Sequence, residues 1–240
     1  MTPVVECAKA HRSIRKFTDQ PITPDQLDAI LQSGIAASSS SLLQAVSVIR
    51  VTDPEKRTRL AQLAGNQQYV ATAAEFLVFI IDYQRHKTLN PEVQTGFTEL
   101  TIIGAVDAGI MAQNCMLAAE SLGLGGVYIG GLRNNPDGVD DVLELPEGTA
   151  VLFGMCLGHP DQNPELKPRL PQQVLVHQDR YQPLDTDAVA RYDDVTRAYY
   201  AARSGNNKDS GWSEQITTKL AGESRPHMKL YLNRKGLALK

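Results

Sequence analysis

Five consecutive residues, His11-Arg12-Ser13-Ile14-Arg15, bring three basic side chains and a hydroxyl together, a density suited to holding an anion such as a phosphate. Specific phosphate binding needs donors that converge from several parts of a chain. Lys167-Pro168-Arg169, a Lys-x-Arg stiffened by proline, offers a second clamp. Alone, the first cluster reads equally well as a charged helix exit; the second shifts the balance towards phosphate. The glycines of Gly123 to Gly126 follow a helix and open a strand, the reverse of a dinucleotide fingerprint, and Tyr128 stands at the third fingerprint position. A helix C-cap running into a buried strand accounts for them better. Gly130 and Gly131 end that strand, where paired glycines permit either a turn or a flat ligand lying against backbone N–H groups.

Other chemistries have little support. His11, His86, His159, His177 and His227 are isolated from one another, so no metal site is expected, and there is no G-x-S-x-G elbow for a nucleophilic serine. The three cysteines, Cys7, Cys115 and Cys156, form neither a disulfide framework nor a C-x-x-C pair, which fits a reducing cytoplasm. Glu6 and Lys9 interrupt any secretory core, and Asp107, Gln113 and Asn114 make a bilayer span of 101–119 a poor expectation. A net charge of -3 argues against nucleic acid or an anionic membrane as partner.

Elements must position these residues. Thr2-Pro3 predicts a short helix over 3–10 that delivers His11 at its end. Thr23-Pro24-Asp25-Gln26 reads as a capping box, with Leu27, Ile30, Leu31 and Ile35 as the apolar face and the serines at 38–41 as the stop. Strands are expected over 45–51, 76–81, 125–131 and 151–157, the second central and covered on both faces. A helix capped by Asp53 should end at Gly65, and another should run from Asn135 to near Pro146. The helix over 97–122 is apolar all round and carries small residues, suiting a core or a dimer interface. Past Pro160, four prolines imply an irregular excursion, followed by helices near 186–203 and 213–222. The polar loop 204–211 between them is either a mobile lid or a solvated connector. With 240 residues and one compositional character, a single domain is expected: a core over about 1–160 and an excursion with C-terminal extension over about 161–240.

H-R-S-I-R at 11–15, the serine run at 38–41, G-G-V-Y-I-G-G-L-R-N-N ending at Asn135, N-P-x-L-K-P-R-L ending at Leu170 and S-R-P at 224–226 together resemble the flavin-dependent nitroreductase superfamily. Within it the resemblance is to the oxygen-insensitive NADPH nitroreductase and NADPH:FMN reductase branch, over essentially the whole chain. It implies an α+β nitroreductase-like fold with a central mixed sheet flanked by helices, and an intertwined homodimer with FMN at the interface. His11, Arg12, Ser13, Ile14, Arg15, Lys167, Pro168 and Arg169 then become FMN residues, with His11 and Ser13 towards the phosphate and Arg15 at the N1/O2 edge of the ring. Ser39 and Gln67 become rim contacts, and Tyr128, Ile129, Gly130 and Gly131 a backbone wall beside N5 and O4.

The resemblance further implies that NADPH is the co-substrate, docking on the flavin and leaving a hydride on N5 before the oxidant takes its place. Nitroaromatics and quinones are the implied acceptors, and no side-chain general acid is needed. Arg203 and Lys208 would read the 2'-phosphate of NADPH, Lys208 standing where arginine is common and offering a point charge instead of a fork. Ser41, Leu42 and Arg225 would line the acceptor pocket, Leu42 standing where close relatives carry phenylalanine. Two alternatives stay open: supply of free reduced flavin to a partner, and, in a different class, a non-catalytic flavin or phospho-ligand module.

Overall fold

The apolar run at 76–81 lies in the interior of a four-stranded sheet made of β1 (Val46–Arg50), β2 (Glu75–Asp82), β3 (Gly125–Ile129) and β4 (Thr149–Gly158) in the order β1-β2-β4-β3. The computed structural model describes residues 2–203 and 207–240. Every residue of β2 except Asp82 is buried, as expected of a strand with both faces covered. All neighbouring strands pair antiparallel. The mixed character expected of the sheet is confined, among the described residues, to one parallel bridge between Ser13 and Gly126. The reason is topological: β2 and β3 run the same way, but β4 is inserted between them and opposes both.

The helices α1 (Pro3–Lys9), α2 (Pro24–Ile35), α3 (Pro54–Leu63), α4 (Tyr69–Thr72), α5 (Gln84–Leu89), α6 (Thr98–Ser121) and α7 (Pro136–Leu143) complete the run up to Pro164. The Thr23 capping box forms as its residue types require, with Gln26 N–H donating to Thr23 Oγ1 at 3.2 Å and Thr23 N–H to Gln26 Oε1 at 3.0 Å. Asp53 caps α3 through Glu55 and Lys56 N–H, and Asn135 caps α7 through Gly138 N–H. α6 is long and apolar enough to cross a membrane by composition, yet it buries Gly104, Asp107, Ala108, Ala112, Cys115, Met116 and Ala119 inside the protein. Gly104 earns its size there, because a Cβ would meet Ile81 at 3.0 Å. The short helices α4 and α5 were not legible in the sequence, being too brief for a periodic signal.

Two compact units divide the chain: one runs up to Pro164 and takes up Arg225–Lys240, and the other is Glu165–Ser224. The first boundary falls close to the change of composition after Pro160. Glu165–Ser224 contains α8 (Gln172–Leu175), α9 (Thr186–Ala201) and α10 (Trp212–Leu220). α10 packs on α9 by a Trp212–Tyr192 edge contact of 5.9 Å, while Thr196 Oγ1 and Asp193 Oδ1 accept the first backbone N–H groups of α10. The C-terminal segment returns as α11 (Met228–Arg234), where the Tyr231 hydroxyl donates to Asp140 at 2.8 Å and Lys235 pairs with the same carboxylate at 2.8 Å.

Candidate active site

The basic segment at 11–15 is laid along the outer edge of the sheet. Ile14 N–H donates to the Gly126 carbonyl at 2.9 Å, Phe17 bridges Pro160, and Thr18 N–H donates to the His159 carbonyl at 2.9 Å. The glycines of the G-G-V-Y run explain themselves here: a Cβ on Gly125 would sit 2.6 Å from Ile14 Cγ1, and one on Gly126 would sit 2.7 Å from the Cys156 carbonyl oxygen. They seat Ile14 and β4, in line with the rejected dinucleotide reading. Because side chains alternate along an extended segment, Arg12 and Ile14 turn into a cleft of about 810 Å³ floored by α1 and α6, while Ser13 and Arg15 occupy the opposite side.

His11 Nδ1 lies 2.6 Å from Glu120 Oε1 on α6, which leaves Nε2, without a partner among the described residues, as the ring nitrogen to meet an anion. Arg12 reaches the Asn163 side chain, and its Nε is a buried donor without a partner among the described residues. Arg15 is exposed. A buried guanidinium nitrogen with nothing to donate to is costly unless something else accepts from it.

The expected strand over 125–131 stops at Ile129, and Gly130–Asn134 tightens into a 3-10 turn. Gly131 has no room for a side chain in that turn: an added Cβ would fall against the Ala64 carbonyl and 2.6 Å from Gln67 Nε2. A Cβ on Gly130 would meet only the Arg133 guanidinium, at 3.5 Å; both glycines lie in the turn, and only Gly131 is closely packed there. The Gly126 carbonyl faces Ile14, so the two-residue period directs the Tyr128 backbone groups to the same outer edge. The Tyr128 side chain turns away, its hydroxyl donating to Gln113 at 3.2 Å and its ring meeting Phe153 edge-on. Burial, with Cys115 and Glu120 nearby, pushes that phenol well above its ordinary range.

Gln67 follows two left-handed residues, Gly65 (φ 86°) and Asn66 (φ 59°), and both ends of its amide are occupied. Nε2 donates to the Ala64 carbonyl at 2.7 Å, and Oε1 accepts from the Tyr69 hydroxyl at 2.5 Å. Arg225 donates to Asn134 Oδ1 through Nε at 3.0 Å and Nη2 at 2.9 Å, which sets it against the same turn as Gly131. Burial, then the neighbouring Arg225, lowers the Arg133 guanidinium, so two cations share this corner. Arg133 and Asn134 stand in the G-G-V-Y-I-G-G-L-R-N-N motif, but the sequence assigns neither a role at the site; only Asn135 has one, as a helix cap.

α2 ends at Ile35, ahead of the serine run expected to stop it, and the run itself forms a strained tip. Ser41, Leu42 and Gln44 have φ of 48°, 54° and 52°, left-handed values that cost a non-glycine residue roughly 1–2 kcal/mol each. Leu42 is 74% exposed, and Ser41 is exposed beside it. Ser39 points inward, its hydroxyl donating to Asp107 at 2.7 Å and accepting from Gln44 N–H at 2.8 Å. Ser39 and Leu42, with Asp107 and Cys115, line a cavity of about 460 Å³ between α2, β1 and α6.

Within Glu165–Ser224, three predicted cations gather round one ring. Lys167 Nζ, Lys208 Nζ and Arg203 Cζ lie 5.5, 5.6 and 5.8 Å from the centre of Tyr200. Against the upward push of burial, Lys167, Lys208 and Arg203 hold the Tyr200 hydroxyl below its ordinary value. The Lys-Pro-Arg loop is braced by Arg169 donating to the Lys167 carbonyl at 2.8 Å and Tyr192 donating to the Pro168 carbonyl at 3.0 Å. A cleft of about 760 Å³ opens here, lined by Lys167, Tyr200, Lys208 and Trp212 among others. Lys167 thus stands with Arg203 and Lys208, a grouping that sequence distance concealed. The polar loop expected over 204–211 has Ser204, Gly205 and Asn206 outside the described residues. No group of three or more His, Cys, Asp or Glu side chains suited to a metal ion occurs among the described residues.

Two family models match, the nitroreductase family over residues 8–159 and the nitroreductase family C-terminal domain over residues 167–240. The chain is 67% identical to an NADPH-flavin oxidoreductase of Vibrio harveyi over 238 residues, covering 99% of each. It is 48% identical to an oxygen-insensitive NADPH nitroreductase of Salmonella typhimurium, again over 99% of both. Among solved structures, nitroreductase A from Vibrio parahaemolyticus superposes with a TM-score of 0.96 at 64% identity over 100% of each chain. With one family model over residues 8–159, a second over residues 167–240 and full-length relatives at this identity, the chain belongs to the nitroreductase family.

Proposed function

We propose that this chain is an FMN-dependent, NADPH-driven oxidoreductase that reduces nitroaromatic compounds and quinones. The observation that carries the reading is the basic segment laid along the outer edge of β3 by the Ser13–Gly126 bridge and the Ile14–Gly126 hydrogen bond, with Ser13 and Arg15 on one side of it. Those features fit a flat, phosphorylated ring: cations and Ser13 for the phosphate, and the Tyr128 to Gly131 backbone for the ring. FMN supplies the redox chemistry when bound, taking two electrons from NADPH and giving two to the acceptor.

The residues divide the remaining work. His11, Ser13, Lys167 and Arg169 bind the phosphate, Arg12 braces the FMN segment from its other side through Asn163, Ile14 anchors the segment by its burial, and Pro168 stiffens the second clamp. Arg15 places a positive charge at the ring edge, where it favours the more negative reduced form. Ser39 and Gln67 shape the rim, and Ser41, Leu42 and Arg225 meet the acceptor. Arg203 and Lys208 bind the 2'-phosphate of NADPH, and the shared approach of both to Tyr200 supports their acting together. Ile102, Val106 and Ile110, exposed at four-residue spacing on α6, support a homodimer built on that helix. A cytoplasmic site of action fits the three unpaired cysteines.

The purified protein is expected to be yellow, with a band near roughly 450 nm that anaerobic NADPH bleaches and either nitrofurazone or menadione restores. Protein lacking that band, or bound flavin that NADPH leaves oxidised, would remove the proposal and favour a non-catalytic module. The name of the Vibrio harveyi relative, NADPH-flavin oxidoreductase, favours a second reading in which free FMN is itself the acceptor. Turnover that rises with added FMN and exceeds that with nitrofurazone would favour this reading. Arg203→Ala is expected to raise the KM for NADPH about tenfold, the scale of one charge-assisted bond, while reoxidation by quinone is unaltered. An unchanged KM would remove Arg203 from the NADPH site.

A further inference from the structure

We propose that Asp107 is the positioning residue of the acceptor rim: its buried carboxylate fixes Ser39 and Ser40, and through them sets the strained tip that presents Ser41 and Leu42. The proposal rests on the assignment of Ser41 and Leu42 to the acceptor pocket.

Asp107 is 5% exposed in the middle of an otherwise apolar face of α6. A carboxylate so placed normally needs a cation, and among the described residues Asp107 has none within ion-pair distance. What it has is the serine run. Ser39 Oγ donates to Oδ2 at 2.7 Å, and Ser40 N–H donates to both carboxylate oxygens at 3.2 Å. Ser39 Oγ also accepts Gln44 N–H at 2.8 Å, so the carboxylate reaches the far side of the tip through one hydroxyl. His86 Nε2, on α5, engages the Leu43 carbonyl at 2.8 Å.

Between these ties lie Ser41, Leu42 and Gln44, three left-handed non-glycine residues within four positions. Backbone in that region relaxes unless its surroundings over-determine it, and strain of this kind concentrates where a side chain must be held for function. Nothing in the tip's own sequence favours the conformation, since none of the three is glycine, asparagine or aspartate. The carboxylate of Asp107 supplies the constraint. Ser41 and Leu42 therefore owe their exposed, fixed placement to a residue that touches neither of them.

The test uses holoenzyme of Asp107→Asn, which keeps shape and one acceptor oxygen but cannot serve Ser39 and Ser40 together as a carboxylate does. Steady-state KM is measured for nitrofurazone and menadione, with ferricyanide as an oxidant that has no flat ring to be gripped. The rate of flavin reduction by NADPH is followed in parallel by anaerobic stopped flow. Expected is a rise of about tenfold in KM for both flat acceptors, the scale of a weakened hydrogen bond to a buried charge, with flavin reduction and ferricyanide turnover unchanged. Asp107→Ala should give a larger rise in the same two KM values, with Asn intermediate. Loss spread equally over both half-reactions would reduce Asp107 to a structural residue and overturn the proposal, as would unchanged acceptor KM values. If Asp107→Asn is not obtained folded, Asp107→Ser, which leaves one hydroxyl where two carboxylate oxygens stood, is expected to show the same acceptor-selective rise; its absence there overturns the proposal equally. Leu42→Ala separates the two layers. A shift with Leu42→Ala but none with Asp107→Asn leaves the rim assignment standing and the positioning role refuted, whereas no shift with Leu42→Ala removes the rim assignment and the proposal with it.

Discussion

Asp140→Ala is expected to lower the unfolding free energy by about 3–5 kcal/mol, the range for breaking one partner out of a buried ion pair. Two groups lose their acceptor at once. Lys235 Nζ, 2.8 Å from Asp140 Oδ2, keeps the Leu145 carbonyl as its one partner among the described residues, and the Tyr231 hydroxyl, which also accepts Val151 N–H at 3.1 Å, loses the oxygen it donates to. Both side chains of the ion pair are nearly buried, so solvent screens the loss poorly. Urea denaturation measures the effect, and a change under 1 kcal/mol (roughly the value of an exposed pair) would show that the C-terminal clasp carries no such weight. The pH dependence has a definite sign. Burial raises the Asp140 carboxyl above its ordinary value, against the downward pull of Tyr231 and Lys235. The native state therefore holds this proton more tightly than the unfolded chain does. Stability from this group is present at acid pH and falls as pH rises through the raised value. Asp140→Asn, which cannot titrate, is expected to lack that decline.

Gly131→Ala is expected to cost about 3 kcal/mol, the upper end for forcing an atom into a packed interior. The added methyl meets two fixed groups, the Ala64 carbonyl and, at 2.6 Å, Gln67 Nε2. Neither can yield cheaply: the Ala64 carbonyl already accepts from Gln67, whose amide oxygen is held by Tyr69. The variant should lower the melting temperature and weaken FMN retention together, read by thermal shift and by the flavin absorbance left after desalting. The matching Gly130→Ala is the control, because its Cβ meets nothing closer than Arg133 at 3.5 Å. Equal behaviour of the two variants would show that the turn is not held where the packing places it.

Much of the molecule was legible in one dimension because its signals are local. Capping boxes, proline at the first helical turn and unbroken apolar runs depend on neighbours in sequence, so α2, α3, α6, α7 and the interior strand β2 follow from residue order. The basic segment at 11–15 and the Lys-Pro-Arg loop were visible as charge density, and the glycines at 125–126 as a strand entry. The motif set as a whole pointed to the nitroreductase family, to which the chain belongs.

Relations between distant residues belonged to the tertiary structure alone. The order of the strands, with β4 inserted between β2 and β3, depends on which edge a crossover reaches, and no local propensity records that. Asp107 looked like a polar blemish on an apolar helix until folding set it 2.7 Å from a serine 68 positions earlier. Lys167, Arg203 and Lys208 are spread over 42 residues and meet only because the folded unit places all three beside Tyr200. Even the 11–15 segment gained a division that composition could not express, with Arg12 and Ile14 turned into one cleft and Ser13 and Arg15 turned away from it. A sequence encodes each residue's chemistry and its preference for turn, helix or strand. Which side chains share a few ångströms is settled by burial and backbone pairing across the whole chain, and the site is made of those distances.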